Sequence, residues 1–178
     1  MLTSSRIQGL AVAAAAAVAF GALPACAGPL QSWDTKIDDA DARFVVLDDF
    51  DGDAVLDLET QLVWQRAPGR GQLRTLLGAF NSCFATVIGN RLGWRVPGMA
   101  ELTSLIDRTQ QDPPLPAGHP FDVSELTADV WSSTTVSETD PEQAFHQDMI
   151  NDGFLGNAVK DNELEVWCIR GGRGAEGE

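Results

Sequence analysis

Closely spaced aspartates make the region from Asp48 to Asp57 the part of the sequence best suited to binding a metal ion. The stretch DDFDGDAVLD places five carboxylates around a glycine, and alternating carboxylates can present oxygen ligands to calcium. It lacks the full length and the terminal glutamate of a complete calcium-binding loop. Two interpretations follow: calcium bound by Asp49, Asp51 and Asp53, or a solvated turn between two strands.

Polar side chains near the end of the chain form a second candidate site. They lie in segments rich in turn-forming residues, where they could bind a polar ligand through hydrogen bonds. The alternative is that they only form ordinary turns. The candidate ligand-binding residues are Asp148, Asn151, Asp152, Lys160, Asp161 and Asn162.

Residues that could act in catalysis are few. The chain has two histidines, His119 in GHPF and His146 in a predicted strand, and neither is accompanied by a nucleophile in a recognisable motif. The stretch WSSTT contains serines but lacks the Gly-x-Ser-x-Gly turn of many serine hydrolases. The sequence therefore favours binding over catalysis.

The chain has three cysteines, of which Cys26 lies in a segment typical of an exported protein's leader. Cys83 and Cys168 remain as an even pair, which in an oxidising compartment favours a disulfide. Two free buried thiols or a redox pair are the alternatives. Neither cysteine belongs to a Cys-x-x-Cys motif or has a histidine nearby in sequence, so metal and redox roles have little support.

The first 27 residues have the features of a secretory signal peptide. Arg6 precedes an apolar run over residues 9–23, and residues 25–27 form a suitable cleavage site. The run is too short and too rich in alanine to be a convincing membrane span. We therefore expect a secreted or periplasmic protein. Alternatively, residues 23–26 form a lipobox, and a lipidated Cys26 anchors the chain to a membrane.

The charge balance argues against several classes of partner. The formal net charge is −14 at pH 7, and loss of residues 1–27 would remove one arginine and no acid. Nucleic acids and anionic membrane surfaces are bound through basic patches, so neither is expected as a partner. The remaining length suits one domain with a real core, and the sequence indicates no oligomeric state.

Short runs of β-branched and aromatic residues predict strands at 43–47, near 54–56 and at 62–66. From Gln72 to Ile88, apolar residues recur at steps of three and four, which predicts a helix with one buried face. The residues of that face would be Leu73, Leu76, Leu77, Phe80, Phe84 and Val87.

The second half of the chain predicts one more helix and three more strands. The helix should begin after Pro97, near Gly98, with an apolar stripe formed by Met99, Leu102, Leu105 and Ile106. Strands are predicted in VWSSTT, AFHQDM and EVWCIR. This order of strands, helices and strands indicates an α+β fold.

The aromatic and arginine residues predict how the interior is built. We expect one core that contains Trp64, Trp94, Trp131 and Trp167. An arginine beside buried aromatic residues must satisfy its donors, so we expect Arg95 to pair with Glu101 or with a loop carbonyl.

Five stretches occur in an order and spacing that resemble one known family. They are AVLDLETQLVWQR (54–66), GWRVPGMAEL (93–102), LPAGHPF (115–121), WSSTT (131–135) and VWCIRGG (166–172). Together they resemble the Lcl C-terminal domain family, which is named after a collagen-like adhesin. Gln61 stands where the family pattern has a turn glycine, and Gly98 stands where it has a helix-capping threonine. Glycine is also an acceptable cap, so the helix should survive.

This resemblance implies a fold similar to the C-type-lectin-like group that includes the formylglycine-generating enzymes. We expect a compact α+β domain at 43–172, with two helices and a twisted, mainly antiparallel sheet. A signal peptide at 1–27 and a linker at 28–42 would precede it, and a flexible tail at 173–178 would follow.

The resemblance also implies a function. It favours a secreted or surface-attached, non-catalytic module that binds an extracellular carbohydrate or protein through loops in the C-terminal half. The alternative is an enzyme of the formylglycine-generating type or another oxidoreductase of the same fold group. Such an enzyme would need reactive cysteines or bound copper, whereas Cys83 and Cys168 are expected to be bonded.

Overall fold

The computed structural model describes residues 36–69 and 72–171, which form two antiparallel sheets and three helices. The first sheet has the order β1-β2-β3-β7, with strands Phe44–Val46, Ala54–Asp57, Leu62–Gln65 and Ile169–Arg170. The second has the order β4-β5-β6, with strands Val130–Ser137, Asp140–Gln147 and Leu155–Val159. The helices are α1 (Ala40–Arg43), α2 (Leu76–Ala85) and α3 (Met99–Ser104).

This architecture confirms the α+β class and corrects its details. One sheet and two helices were expected, whereas the described residues contain two sheets and the additional one-turn helix α1. Strand β6 was not predicted at all. The expected signal peptide, Cys26 and the tail at 173–178 lie outside the described residues. In the part of the chain that is described, no helix has the length and apolar character needed to cross a membrane.

A buried ion pair joins the first sheet to α3. The guanidinium of Arg43 donates from Nε to Asp57 Oδ1 at 2.9 Å and from Nη2 to Asp57 Oδ2 at 2.8 Å. Nη2 also donates to the carbonyl oxygen of Ser104 at 2.9 Å. Asp57 in turn accepts hydrogen bonds from the Glu59 N–H and the Thr60 hydroxyl, which shapes the turn between β2 and β3. The fold therefore begins before residue 43, and Ala40 is already part of the buried core.

Helix α2 is shorter than predicted, and it buries a different face. Thr75 caps its first turn by accepting the Gly78 N–H at 3.2 Å. Its buried residues are Leu76, Ala79 and Cys83, which are three and four positions apart. Most of the predicted buried face is exposed: Leu77 to 70%, Phe80 to 41%, Phe84 to 82% and Val87 to 57%.

The second sheet explains why α2 turns its small side chains inward. Thr135, Ala144 and Ala158 pair across the three strands, and the two alanines lie in the same core cluster as Leu76 and Cys83. Small residues on both sides allow the helix and the sheet to approach closely. Because both faces of α2 are apolar, the sequence periodicity could not decide which face is buried.

Helix α3 follows the prediction closely. Gly98 is its N-cap, and Glu101 accepts the Gly98 N–H at 2.7 Å. Arg95 donates to both oxygens of Glu101, at 2.8 and 2.6 Å, which confirms the predicted pairing. Burial opposes ionisation of Glu101, but the hydrogen bonds from Arg95 and from the Gly98 N–H outweigh it and lower the pKa of this carboxyl.

The four tryptophans are buried, but they divide between two clusters. Trp64 and Trp167 meet edge to face, with ring centroids 5.4 Å apart, in a cluster with the first sheet and α3. Trp94 and Trp131 belong to the cluster beneath α2. The prediction of one common core is therefore wrong, because alternate residues of β2 and β3 belong to different clusters: Val55 and Trp64 to the first, Ala54 and Val63 to the second.

Residues 164–170, which we call the C-terminal segment, connect both halves of the fold. Leu164 exchanges two backbone hydrogen bonds with Arg74, and the Glu165 carbonyl accepts the Trp131 N–H at 3.0 Å. Further along, Ile169 exchanges two backbone hydrogen bonds with Arg95 at 2.8 and 2.9 Å. Cys168 is bonded to Cys83 of α2, with 5.4 Å between the Cα atoms, which confirms the predicted disulfide.

We predict that loss of this disulfide destabilises the protein strongly. It closes a loop of 85 residues, and constraining a loop of that length in the unfolded chain contributes about 2 to 5 kcal/mol. The double variant Cys83→Ala/Cys168→Ala should therefore unfold at markedly lower urea concentration. An unchanged unfolding midpoint would contradict this prediction.

Removal of Arg43 should also be costly, because it leaves the buried Asp57 carboxylate without its charged partner. We expect Arg43→Ala to lower the free energy of unfolding by about 3 to 5 kcal/mol, measured by urea denaturation. The exposed Arg108 provides a matched control, and Arg108→Ala should change stability by less than about 0.5 kcal/mol. Equal effects of the two substitutions would show that the ion pair has no special role.

Candidate ligand-binding groove

The six polar residues predicted to bind a ligand do not form one site. Asp148, Asn151 and Asp152 lie in the loop before β6, whereas Lys160, Asp161 and Asn162 follow its last residue. At roughly 3.3 Å per residue, the five-residue strand separates the two groups by about 15 Å.

Asp148 organises its own loop. Its carboxylate accepts the backbone N–H groups of Ile150, Asn151 and Asp152 at 2.8, 3.0 and 3.2 Å. Burial opposes ionisation, but these hydrogen bonds outweigh it and lower the pKa of Asp148. The carboxylate oxygens are thus engaged in the loop that they shape.

Lys160 and Asp161 lie beside α2, at a groove of about 210 Å³ that we call the α2 groove. The Leu76 N–H donates to the Lys160 carbonyl at 2.9 Å, which fixes the start of α2 against the end of β6. The groove is lined by Leu76, Leu77, Phe80, Ser133, Thr135, Lys160 and Asp161.

The α2 groove combines an apolar side with a polar side. Leu77 and Phe80 of α2 form the apolar side, while the hydroxyls of Ser133 and Thr135 and the charges of Lys160 and Asp161 are polar. The Lys160 ammonium group also donates to the carbonyl oxygen of Pro141 in β5, which holds the ammonium group against that strand. Such a groove can accept one apolar side chain or one small ring, with hydrogen-bonding groups at its edge.

The apolar side continues along the helix beyond the groove. We call Leu77, Phe80, Phe84 and Val87, the last just beyond α2, the apolar face of α2. All four are exposed, and residues 75–90 contain no charged residue and no histidine. A contiguous exposed apolar patch of this kind commonly marks an interaction surface.

The predicted calcium ligands are not gathered into a site. The Asp49 carboxylate lies at the surface, 3.9 Å from Arg91 Nη2, and Asp51 adopts a left-handed backbone conformation at the end of a short 3₁₀ helix. Asp53 lines a different cavity, beside Gln65 and Thr86. Across residues 36–69 and 72–171, no three or more His, Cys, Asp or Glu residues are arranged to hold a metal ion. The calcium site at Asp49, Asp51 and Asp53 stays a prediction.

The two histidines make contacts within the fold. His119 Nδ1 accepts the Phe121 N–H at 3.2 Å, and burial lowers the pKa of this imidazole. His146 Nδ1 lies 2.7 Å from Asp129 Oδ2, and this interaction raises the pKa of His146 despite its partial burial. Neither histidine lines the α2 groove.

Comparison with known families decides the affiliation of this fold. The model of the Lcl C-terminal domain matches residues 53–170, which is more than half of the chain. The chain belongs to the Lcl C-terminal domain family. A comparison with curated proteins finds no match.

The match places the Lcl C-terminal domain from the residue before β2 to the last residue of β7. It therefore includes α2, the second sheet and every residue that lines the α2 groove. The resemblance expected from the sequence motifs is confirmed.

Sequence reasoning missed the apolar side of the groove in this Lcl C-terminal domain. Leu77 and Phe80 were assigned to the core, and Ser133 and Thr135 were not among the predicted ligand-binding residues. One signal was available in the sequence: α2 is apolar on more than one face and lacks charge, which is unusual for a surface helix.

We predict that the Asp148 loop is sensitive to acid. The folded-state pKa of Asp148 lies below its ordinary value of 3.8, so its contribution is fully present above that value and is lost as the pH falls through the folded-state pKa. Asp148→Ala should lower stability by about 1 to 3 kcal/mol at neutral pH, and this difference should shrink below about pH 4. Asp152→Ala serves as the neighbouring control, and melting curves between about pH 2 and 7 provide the measurement. A difference that stays constant down to the lowest pH would contradict the assignment.

Proposed function

We propose that this Lcl C-terminal domain is a non-catalytic binding module, exported to an oxidising compartment, that binds a protein through the α2 groove and the apolar face of α2. The observation that carries the proposal is the exposure of Leu77, Phe80, Phe84 and Val87 on one uncharged segment. Exposed aromatic and aliphatic side chains next to a concave surface are typical of the anchor positions in protein interfaces.

The compartment is inferred from two features. A disulfide between buried cysteines is typical of secreted and periplasmic proteins, and the sequence of residues 1–27 predicts a signal peptide. Lipidation at Cys26 would instead tether the same domain to a membrane surface, which leaves the proposed binding surface unchanged.

A carbohydrate is the second candidate ligand. It is favoured by the hydroxyls of Ser133 and Thr135 and by Lys160 and Asp161, which could hydrogen-bond a sugar while its ring packs on Phe80. We place it second because the exposed surface extends past these polar groups to Phe84 and Val87, which are purely apolar.

The oxidoreductase alternative is the least supported. A formylglycine-generating mechanism would require reactive thiols or thiolate-bound copper. Cys83 and Cys168 are bonded to each other and are almost fully buried, so neither is available as a nucleophile or metal ligand.

Site-specific photo-crosslinking in the cells that export the protein tests the proposal. A photoreactive amino acid at position 80 should produce an adduct with a protein, whereas the same group at position 154 should not. Phe154 is a matched control because it is also exposed, to 68%, but lies at the opposite end of β6. Identical adduct patterns at both positions, or none at position 80, would contradict the proposal.

A glycan array tests the second candidate independently. Carbohydrate binding that is lost in both Phe80→Ala and Asp161→Asn but kept in Phe154→Ala would replace the protein ligand by a glycan. The array should be run with calcium and with chelator, because a calcium-dependent signal would support the prediction that Asp49, Asp51 and Asp53 bind calcium.

A further inference from the structure

The α2 surface contains both a protruding side chain and a groove of matching character. Phe84 is the most exposed of its four apolar residues, and Leu77, which lines the α2 groove, lies seven residues earlier. Seven residues make about two helical turns, so Leu77 and Phe84 lie on the same side of the helix about 10 Å apart along its axis.

This spacing makes the surface complementary to itself. If a second copy packs against α2 in antiparallel orientation, with the twofold axis near Phe80 and Asn81, each Phe84 lies opposite the partner's Leu77. Each ring can then enter the groove beside Leu77 and Phe80 of the other copy. A contact of this kind produces a dimer and not a longer chain of copies, because the same residues are used on both sides.

The distribution of charge permits a second copy to bind at this face although the chain as a whole is strongly acidic. The chain has a net charge of −14, so two copies repel each other over most of their surfaces. Residues 75–90 carry no charge, and contact there places no like charges opposite each other. The same segment offers no charged group for selecting a basic or acidic partner.

The area available predicts the strength of the contact. The apolar face of α2 exposes roughly 500 Å² of side chain, so two copies would bury about 1,000 Å², near the lower limit for a specific interface. A dimer of this size should be weak and should depend on concentration.

We infer that the protein bound at this surface is a second copy of the same chain, in a twofold dimer that inserts Phe84 of each copy into the α2 groove of the other. The inference rests on the proposed protein-binding function and names its partner. In the dimer the groove is filled, so any other ligand of the groove must compete with self-association.

Sedimentation equilibrium of the purified protein tests the inference. The mass should rise from monomer toward twice that value between about 1 and 500 µM. Phe84→Glu should weaken the dimer by about tenfold or more, because it replaces each inserted ring by a carboxylate against the apolar side formed by Leu77 and Phe80. Phe154→Glu adds the same charge elsewhere and should leave the dissociation constant within about twofold, while unchanged melting curves show that both variants are folded.

A charge-pair experiment tests the antiparallel arrangement itself. Phe84→Glu and Leu77→Lys should each dimerise poorly alone, but an equimolar mixture should dimerise better than either. The reason is that each mixed pair places the introduced glutamate of one copy opposite the introduced lysine of the other and keeps one native contact. Failure of the mixture to exceed the separate variants would overturn the twofold arrangement.

The crosslinking experiment separates the two proposals. An adduct at position 80 with twice the monomer mass supports the dimer. A monomer at all concentrations, together with an adduct of different mass, overturns the dimer but leaves the protein-binding function standing. A monomer without any specific adduct overturns both.

Discussion

The hydrogen bonding of the C-terminal segment is the constraint on which the rest of the structure depends. Over seven residues, backbone groups of this segment bond to Arg74, Trp131, Gln65 and Arg95, which belong to different parts of the fold. Cys168 then fixes the same segment covalently to α2. The segment is part of the first sheet through β7 and bonds to the second sheet through Glu165. It therefore contributes to both core clusters, and Trp167 and Cys168 belong to different clusters although they are adjacent in sequence.

The exposed surface of α2 follows from this constraint. The disulfide turns Cys83 toward the interior, and Leu76 and Ala79 lie on the same side of α2, where they pack with the alanines of the second sheet. Leu77 and Phe84 are consequently directed outward, where burial against a partner would stabilise them. The arrangement that secures the fold thus also creates the surface that we propose to be functional.

Much of the fold could be predicted from the sequence because the relevant signals are local. The Arg95–Glu101 pair and the cap at Gly98 lie within one short stretch, and alternating or β-branched residues indicated most of the strands. Strand β6 lacked such a signal, because its sequence LGNAV contains small and polar residues. Its Gly156 is explained only by tertiary structure: a Cβ atom there would lie 2.5 Å from the imidazole ring of His146 on the neighbouring strand. The candidate site was less predictable, since it depends on which face of α2 is buried.

Fluorine NMR at position 84 tests most directly whether Phe84 is exposed in the monomer and becomes buried on self-association. The protein carries fluorophenylalanine at position 84, and spectra are recorded over increasing concentration and compared with those of a label at position 154. We expect the resonance at position 84 to report a solvent-exposed ring in dilute solution and to shift as the protein concentration rises, while that at position 154 stays constant. A resonance at position 84 that already reports a buried ring in the dilute monomer, or that does not change with concentration, would contradict this account.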